Sequence, residues 1–231
     1  MKDSATLIGA LAALALFPSS ASAGERRPPY VLELFTSQGC NSCPPANANL
    51  IKLRGRSDVL ALSFEVTYWD GLGWKDIFGK PEFTRRQEVY EGPLGHSSAF
   101  TPQMVVNGHR DAVGADFSEI PPLLANQPLE ESPQISLAGS SVGVGPGAAP
   151  QGGADVWLVR YDPRVVEVPV TRGENAGHTL PHANVVHEFV RLGRWGGQAA
   201  SFQIAQADSG LRTAVLVQLP SGGRILSAAT D

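Results

Sequence analysis

The apolar and polar positions divide the chain into a leader and two stretches of different texture. Ala5 to Phe17 carries Leu7, Ile8, Leu11, Leu14 and Leu16 among alanines, with Lys2 before it and Pro18 and Ala21-Ser22-Ala23 after it. A basic start, a short apolar run and an A-x-A site mark a secretory leader, so residues 1–23 are read as a signal peptide cleaved after Ala23. The run is shorter than the roughly 20 residues a membrane span requires. No later stretch approaches that length, and the mature chain is expected to contain no span.

From Pro29 to about Pro128, strand and helix patterns alternate. Tyr30 to Phe35 is apolar except for Glu33 and reads as a buried strand. Cys40 to Leu53 is helical in content, with Pro44 and Pro45 tolerated only because a first helical turn needs no amide donor there. Val59 to Val66 predicts a second strand, Pro81 to Tyr90 a helix and Gln103 to Asn107 a third strand. Asn107-Gly108 then turns the chain into a hairpin partner, His109 to Val113. Ser118 to Ala125 closes this half with a short helix confined by Pro121 and Pro122.

From Ser132 the segments are short, β-branched and bounded by Gly- or Pro-bearing turns. They are Gln134–Leu137, Ser141–Val144, Asp155–Tyr161, Arg164–Val170, Val185–Leu192, Gln198–Ile204, Leu211–Leu219 and Arg224–Ala229. That spacing predicts a β-rich antiparallel, sandwich-like domain over 132–231, following an α/β domain over 24–131. The boundary is placed near Gln127 to Pro133, and Gly145 to Gly153 is read as a loop.

Composition narrows the function classes. The chain has 231 residues, enough for one large or two small domains, and a net charge of -4. That charge offers no electrostatic footprint for nucleic acid or an anionic membrane surface. No Gly-rich phosphate loop, G-x-S-x-G or H-E-x-x-H occurs, and no cofactor is implied.

The chemical signal is Cys40-Asn41-Ser42-Cys43, the only two cysteines in the chain, at a strand-to-helix corner. An exported protein meets an oxidising compartment, periplasmic or extracellular, where such a pair is expected to bridge. The helix N-terminus favours the thiolate of Cys40, making it the attacking sulfur. Cys43, one turn further in, would resolve a mixed disulfide by attacking Cys40. Asn41 and Ser42 bring no cation, so the potential stays open. Thr101-Pro102 enters a strand with a small polar residue ahead of the proline, a place where a cis peptide is recruited.

These features together resemble the thioredoxin superfamily. More closely, Glu33-Leu34-Phe35-Thr36-Ser37-Gln38-Gly39-Cys40-Asn41-Ser42-Cys43-Pro44-Pro45, Tyr68-Trp69-Asp70 with Leu72-Gly73-Trp74-Lys75-Asp76, and Thr101-Pro102-Gln103-Met104-Val105-Val106-Asn107-Gly108 resemble the secreted bacterial thioredoxin-like family labelled domain of unknown function 1223. Arg172-Gly173-Glu174-Asn175-Ala176-Gly177 and Asn184-Val185-Val186 extend the likeness into the β-rich part. The resemblance implies an α/β thioredoxin-like N-terminal domain, with Cys40 as nucleophile and Cys43 as resolving thiol. It also implies that Pro102 is cis and that Thr101 offers its backbone to a bound peptide by strand addition. The partners so implied are an exported thiol or disulfide protein and a redox partner.

The sequence departs from that pattern in two places. Thioredoxin keeps a buried carboxylate six residues before its first cysteine; Leu34 stands there, and strand alternation turns the neighbouring Glu33 to the other face. The stretch between Cys43 and Pro102 is also longer than in thioredoxin and holds the Trp69 to Phe78 segment.

The cysteine pair also reads, as the alternative to the favoured redox exchange, as a structural disulfide in a non-enzymatic binding module. Trp69 and Trp74 are candidate substrate contacts, or else packing between domains. Asp70, Lys75 and Asp76 read as helix caps or surface charges. Arg172, Glu174 and Asn175 form a polar turn better suited to inter-domain hydrogen bonding than to catalysis. A metal-binding reading uses Cys40 and Cys43 with His178, His182 and His187, whose cysteine and histidine groups lie far apart in sequence; the site is therefore expected to hold no metal. His96 and His109 are lone histidines, read as surface or hydrogen-bonded residues.

Overall fold

Two parallel strands form the frame of the first half: β1 (Tyr30–Thr36) pairs with β2 (Val59–Glu65), Tyr30 opposite Val59 through Thr36 opposite Glu65. The computed structural model describes residues 28–125 and 132–231, so the expected leader and the segment 126–131 lie outside the described residues. The crossover between β1 and β2 is α1 (Pro44–Leu53), which starts on Pro44 and Pro45 as a first turn allows. α2 (Pro81–Glu88) and the one-turn α3 (Glu91–Leu94) lead to β3 (Gln103–Val106), which pairs antiparallel with β1 and with β4 (Arg110–Ala112). The hairpin turns on Asn107 and Gly108, both in the left-handed region at φ 48° and 71°. A Cβ at Gly108 would lie 2.6 Å from the Gly223 carbonyl oxygen, so packing as well as backbone conformation requires glycine there. α4 (Ile120–Leu124) ends the first half.

The second half holds β5 (Ile135–Ala138), β6 (Ser141–Val144), β7 (Ala154–Pro169), β8 (Thr179–Trp195), β9 (Ala200–Gln203), β10 (Arg212–Gln218) and β11 (Ile225–Thr230). β5, β6 and β9 make a three-stranded antiparallel sheet. The others join the first half in one eight-stranded sheet of order β11-β10-β7-β8-β2-β1-β3-β4. The whole is a mixed α/β arrangement with a large, mostly antiparallel sheet and few helices. Among the described residues, no helix is long and apolar enough to cross a membrane.

The strands that the sequence assigns to separate domains therefore share a sheet. The seam is narrow: β8 runs parallel to β2 with Ser63 opposite Val185, and Asn184, at φ 50°, donates to the Ala61 carbonyl at 2.7 Å. The two strands expected at Asp155–Tyr161 and Arg164–Val170 are one strand, β7. Its pairing with β8 shifts register between Asp162 and Val165, so Pro163 sits in an irregularity instead of ending the strand.

Alternation along β1 feeds two cores. Val31 and Phe35 join Leu62, Phe64, Phe83 and Tyr90 on one face, and Leu32 and Leu34 join Ala46, Leu50, Leu53 and Met104 beneath α1 on the other. Glu33 does lie on the face away from α1. It is fully buried there and bonded to Arg86 at 3.0 Å and 3.1 Å. A third core, including Val142, Val144, Val156 and Trp195, is shared by the small sheet and the adjoining strands of the large one.

Candidate functional site

The chain leaves β1 at its C-terminal end, passes Ser37-Gln38-Gly39 and reaches Cys40, which is disulfide-bonded to Cys43, with Cα atoms 5.4 Å apart. Cys43 is the N-cap of α1, and its carbonyl accepts from the amides of Ala46 and Asn47. Thr36 donates its hydroxyl to Asn47 at 2.9 Å, tying the strand end to the first turn of the helix. Asn41 and Ser42 are exposed, whereas both cysteines are wholly buried.

Three segments enclose this corner. The first is the loop before β3. The Thr101–Pro102 bond is cis, and the Ser42 hydroxyl stands 3.3 Å from Cys40 Sγ and 3.5 Å from the Thr101 carbonyl oxygen. Trp69 Nε1 donates to Thr101 Oγ1 at 2.8 Å, so this tryptophan braces the proline loop from outside.

The second segment is Trp69–Phe78. Trp74 Nε1 donates to Gln38 Oε1 at 2.9 Å, and Asp76 Oδ2 accepts the Gln38 backbone amide at 2.7 Å. Asp76 Oδ1 also accepts from Phe78 N at 2.9 Å. Asp76 is thus a buried acceptor and not the surface charge that its polar neighbours imply. Trp69 and Trp74 are both half-buried, each using its indole N–H inside the frame. Leu72 and Ile77 point outward at 57% and 61% exposure.

The third segment is the tip of the β7–β8 hairpin. Asn175 Nδ2 donates to the carbonyls of Gln38 and Cys40, each at 2.9 Å, and Glu174 Oε2 accepts from the Asn41 amide at 3.3 Å. Gly173, at φ 77°, backs onto Trp74, whose Cβ would lie 3.3 Å from a Cβ placed there. The polar turn read from the sequence as an inter-domain hydrogen-bond cluster lands directly over the cysteine loop.

A buried titratable group borders the same corner. Glu65 lies opposite Thr36 on the α1 face of β2. It accepts from Ser63 Oγ at 3.0 Å and meets His182 Nδ1 at 3.1 Å. Burial, and then the Glu65 carboxylate, push the Asp76 carboxyl up to about 7. Burial pulls the His182 imidazole down, but Glu65 beside it more than offsets this and holds it above its ordinary value. Glu65 Oε2, His182 Nε2 and Gln38 Nε2 are buried without a hydrogen-bond partner in the protein. Nothing local in the sequence marks these residues, because they come from different elements and meet only through the seam between β2 and β8. His178 is exposed and His187 half-buried. Among the described residues no group of three or more His, Cys, Asp or Glu could hold a metal ion.

A family described as a protein of unknown function, DUF1223, matches residues 31–218, from the first buried residue of β1 to the last residue of β10. The chain belongs to this family. The DUF1223 chain is similar to the crystal structure of protein AGR_C_4864 from Agrobacterium tumefaciens, at 33% identity and a TM-score of 0.73, covering 89% of this chain and 95% of that one. It also shares its fold with HBP35 of Porphyromonas gingivalis, at 15% identity and a TM-score of 0.53, covering 89% of this chain and 75% of that one. No match is found among the curated proteins.

Proposed function

We propose that this DUF1223 chain is an exported thiol-disulfide oxidoreductase built on a thioredoxin-like domain, exchanging disulfides with another exported protein through Cys40 and Cys43. The observation that carries the reading is the Ser42 hydroxyl between Cys40 Sγ and the Thr101 carbonyl, which sets the cis-proline loop against the sulfur at the start of α1. The dipole at the start of α1 favours a thiolate on Cys40. The signal-peptide pattern of residues 1–23 supports an oxidising destination.

The chemistry runs in two displacements. A partner thiolate attacks Cys40 Sγ, forming the mixed disulfide, while the Cys40–Cys43 bond breaks and its electron pair stays on Cys43 Sγ. A second thiolate of the partner then attacks the partner's own sulfur and releases Cys40 as a thiolate. The partner dithiol is oxidised by two electrons and the protein is reduced by two. Run backward, the same steps reduce a partner disulfide. The partner's extended segment lies along the Thr101 backbone, and Trp69 fixes that loop through Thr101 Oγ1.

A second reading, a binding module with a structural disulfide, is favoured by the complete burial of both cysteines. Equilibrium reduction against glutathione or dithiothreitol, with free thiols alkylated and weighed, separates the two. A potential between about -120 and -270 mV is expected for an exchange catalyst, whereas a value below about -300 mV identifies a structural bridge. In cells, Cys43→Ala is expected to trap a partner on Cys40, and absence of any such adduct would sink the exchange reading.

A further inference from the structure

An exchange centre whose two sulfurs are wholly buried needs something that moves. The cover over the cysteine loop from the second half of the chain is the hairpin tip between β7 and β8. Of residues 171–179, only Asn175 is buried. The tip closes on itself: Gly177 N donates to the Val170 carbonyl, Ala176 N to Gly173 and His178 N to Asn175. It can therefore lift as a unit without unpairing the strands that carry it.

Its hold on the corner is small and polar. Both protons of the Asn175 amide go to the backbone carbonyls of Gln38 and Cys40, and Glu174 takes the Asn41 amide. Gly173 also backs onto the backbone of Leu72 and Gly73 and onto Trp74. None of the residues 171–179 belongs to the three hydrophobic cores. These contacts fall on the backbone of the cysteine loop itself, at Gln38, Cys40 and Asn41.

Resting on the exchange reading above, we propose that the Arg172–Gly177 tip is an autoinhibitory latch: Asn175 and Glu174 hold it over Cys40, and the disulfide reacts only when these hydrogen bonds open. The latch grips backbone groups that are present whether the cysteines are oxidised or reduced. Releasing it therefore changes the rate in both directions and leaves the equilibrium potential in place.

The test is the rate at which dithiothreitol reduces Cys40–Cys43 in the purified protein, sampled by acid quench, alkylation and mass, together with the reduction potential of each variant. Asn175→Ala is expected to raise the rate about 30-fold, the equivalent of two net hydrogen bonds, at an unchanged potential. Glu174→Ala removes an exposed side chain and leaves folding intact; it is expected to raise the rate about threefold. An increase in Asn175→Ala matched by equally faster global unfolding overturns the latch. So does a wild-type disulfide that is reduced readily, in the exchange range of potential, and no faster in either variant; the exchange reading then survives. A disulfide that stays inert in wild type and in both folded variants overturns the latch and the exchange reading together.

Discussion

Two buried charged clusters lie on opposite faces of the β1–β2 pair, and they differ in how completely they are satisfied. On the face away from α1, the Arg86 guanidinium makes two bonds to Glu33, one of 2.6 Å to Gln218 Oε1 and one of 2.6 Å to the Tyr90 hydroxyl. Tyr90 in turn donates to Glu33, and the guanidinium stacks 4.6 Å from the Phe189 ring centroid. On the α1 face, Glu65, Asp76 and His182 share burial but leave Glu65 Oε2 and His182 Nε2 unpartnered in the protein. A saturated cluster acts as a fixed joint, here linking β1, α2 and β10. An unsaturated one is a place where protons come and go, and it adjoins the cysteine corner through Asp76 and Gln38.

The largest effect is expected at the saturated cluster. Arg86→Ala leaves Glu33 as a buried carboxylate without its cation and is expected to destabilise the protein by about 3–5 kcal/mol, read from the denaturant midpoint. A loss under about 1 kcal/mol would mean that the cluster is no joint.

The unsaturated cluster predicts a pH dependence. An unfolded aspartate loses its proton near pH 3.8, whereas folded Asp76 keeps it to about 7. The folded state thus binds the extra proton between about pH 4 and 7, and stability falls as pH rises through that window. His182, held above 6.5, acts in the same direction: its contribution is full below 6.5 and is lost as pH rises through its folded value. At about 1.4 kcal/mol per pKa unit, Asp76 accounts for a decline on the order of 4 kcal/mol. Asp76→Asn is expected to flatten that slope in unfolding titrations at several pH values. An unchanged slope would assign the titration elsewhere.

The smallest effect sharpens the boundary between site and scaffold. Trp74→Phe removes the bond to Gln38 Oε1 but keeps most of the ring, and Gln38 Oε1 still accepts from Ile77 N at 3.3 Å. A loss of about 1 kcal/mol in the unfolding midpoint is expected. A much larger loss would place the Trp69–Phe78 segment in the folding core.

Much of the first half is legible because its signals are local. The Cys40–Cys43 corner, the Pro44-Pro45 helix start, the Pro81 helix and the Asn107-Gly108 hairpin each follow from backbone rules acting over a few residues. The orientation of Glu33 follows from period-two alternation. The one-turn α3 leaves no pattern long enough to read. In the second half the strand positions are visible, but their partners are not, since antiparallel and sandwich arrangements share the same alternation.

By itself the sequence determines the chemistry available: two cysteines at a helix start, a proline ahead of β3, a polar turn at 172–175 and a net charge of -4. Only the tertiary structure decides that the strands of both halves form one sheet, that Asn175 closes over Gln38 and Cys40, and that Glu65, Asp76 and His182 meet. Those contacts join residues separated by up to 137 positions in the chain. The halves meet at the parallel pairing of Ser63 with Val185, at the Arg86–Gln218 bond and where Gly108 approaches Gly223. A window of a few residues fixes a turn or a face, but long-range register is set by the sum of packing over the whole sheet.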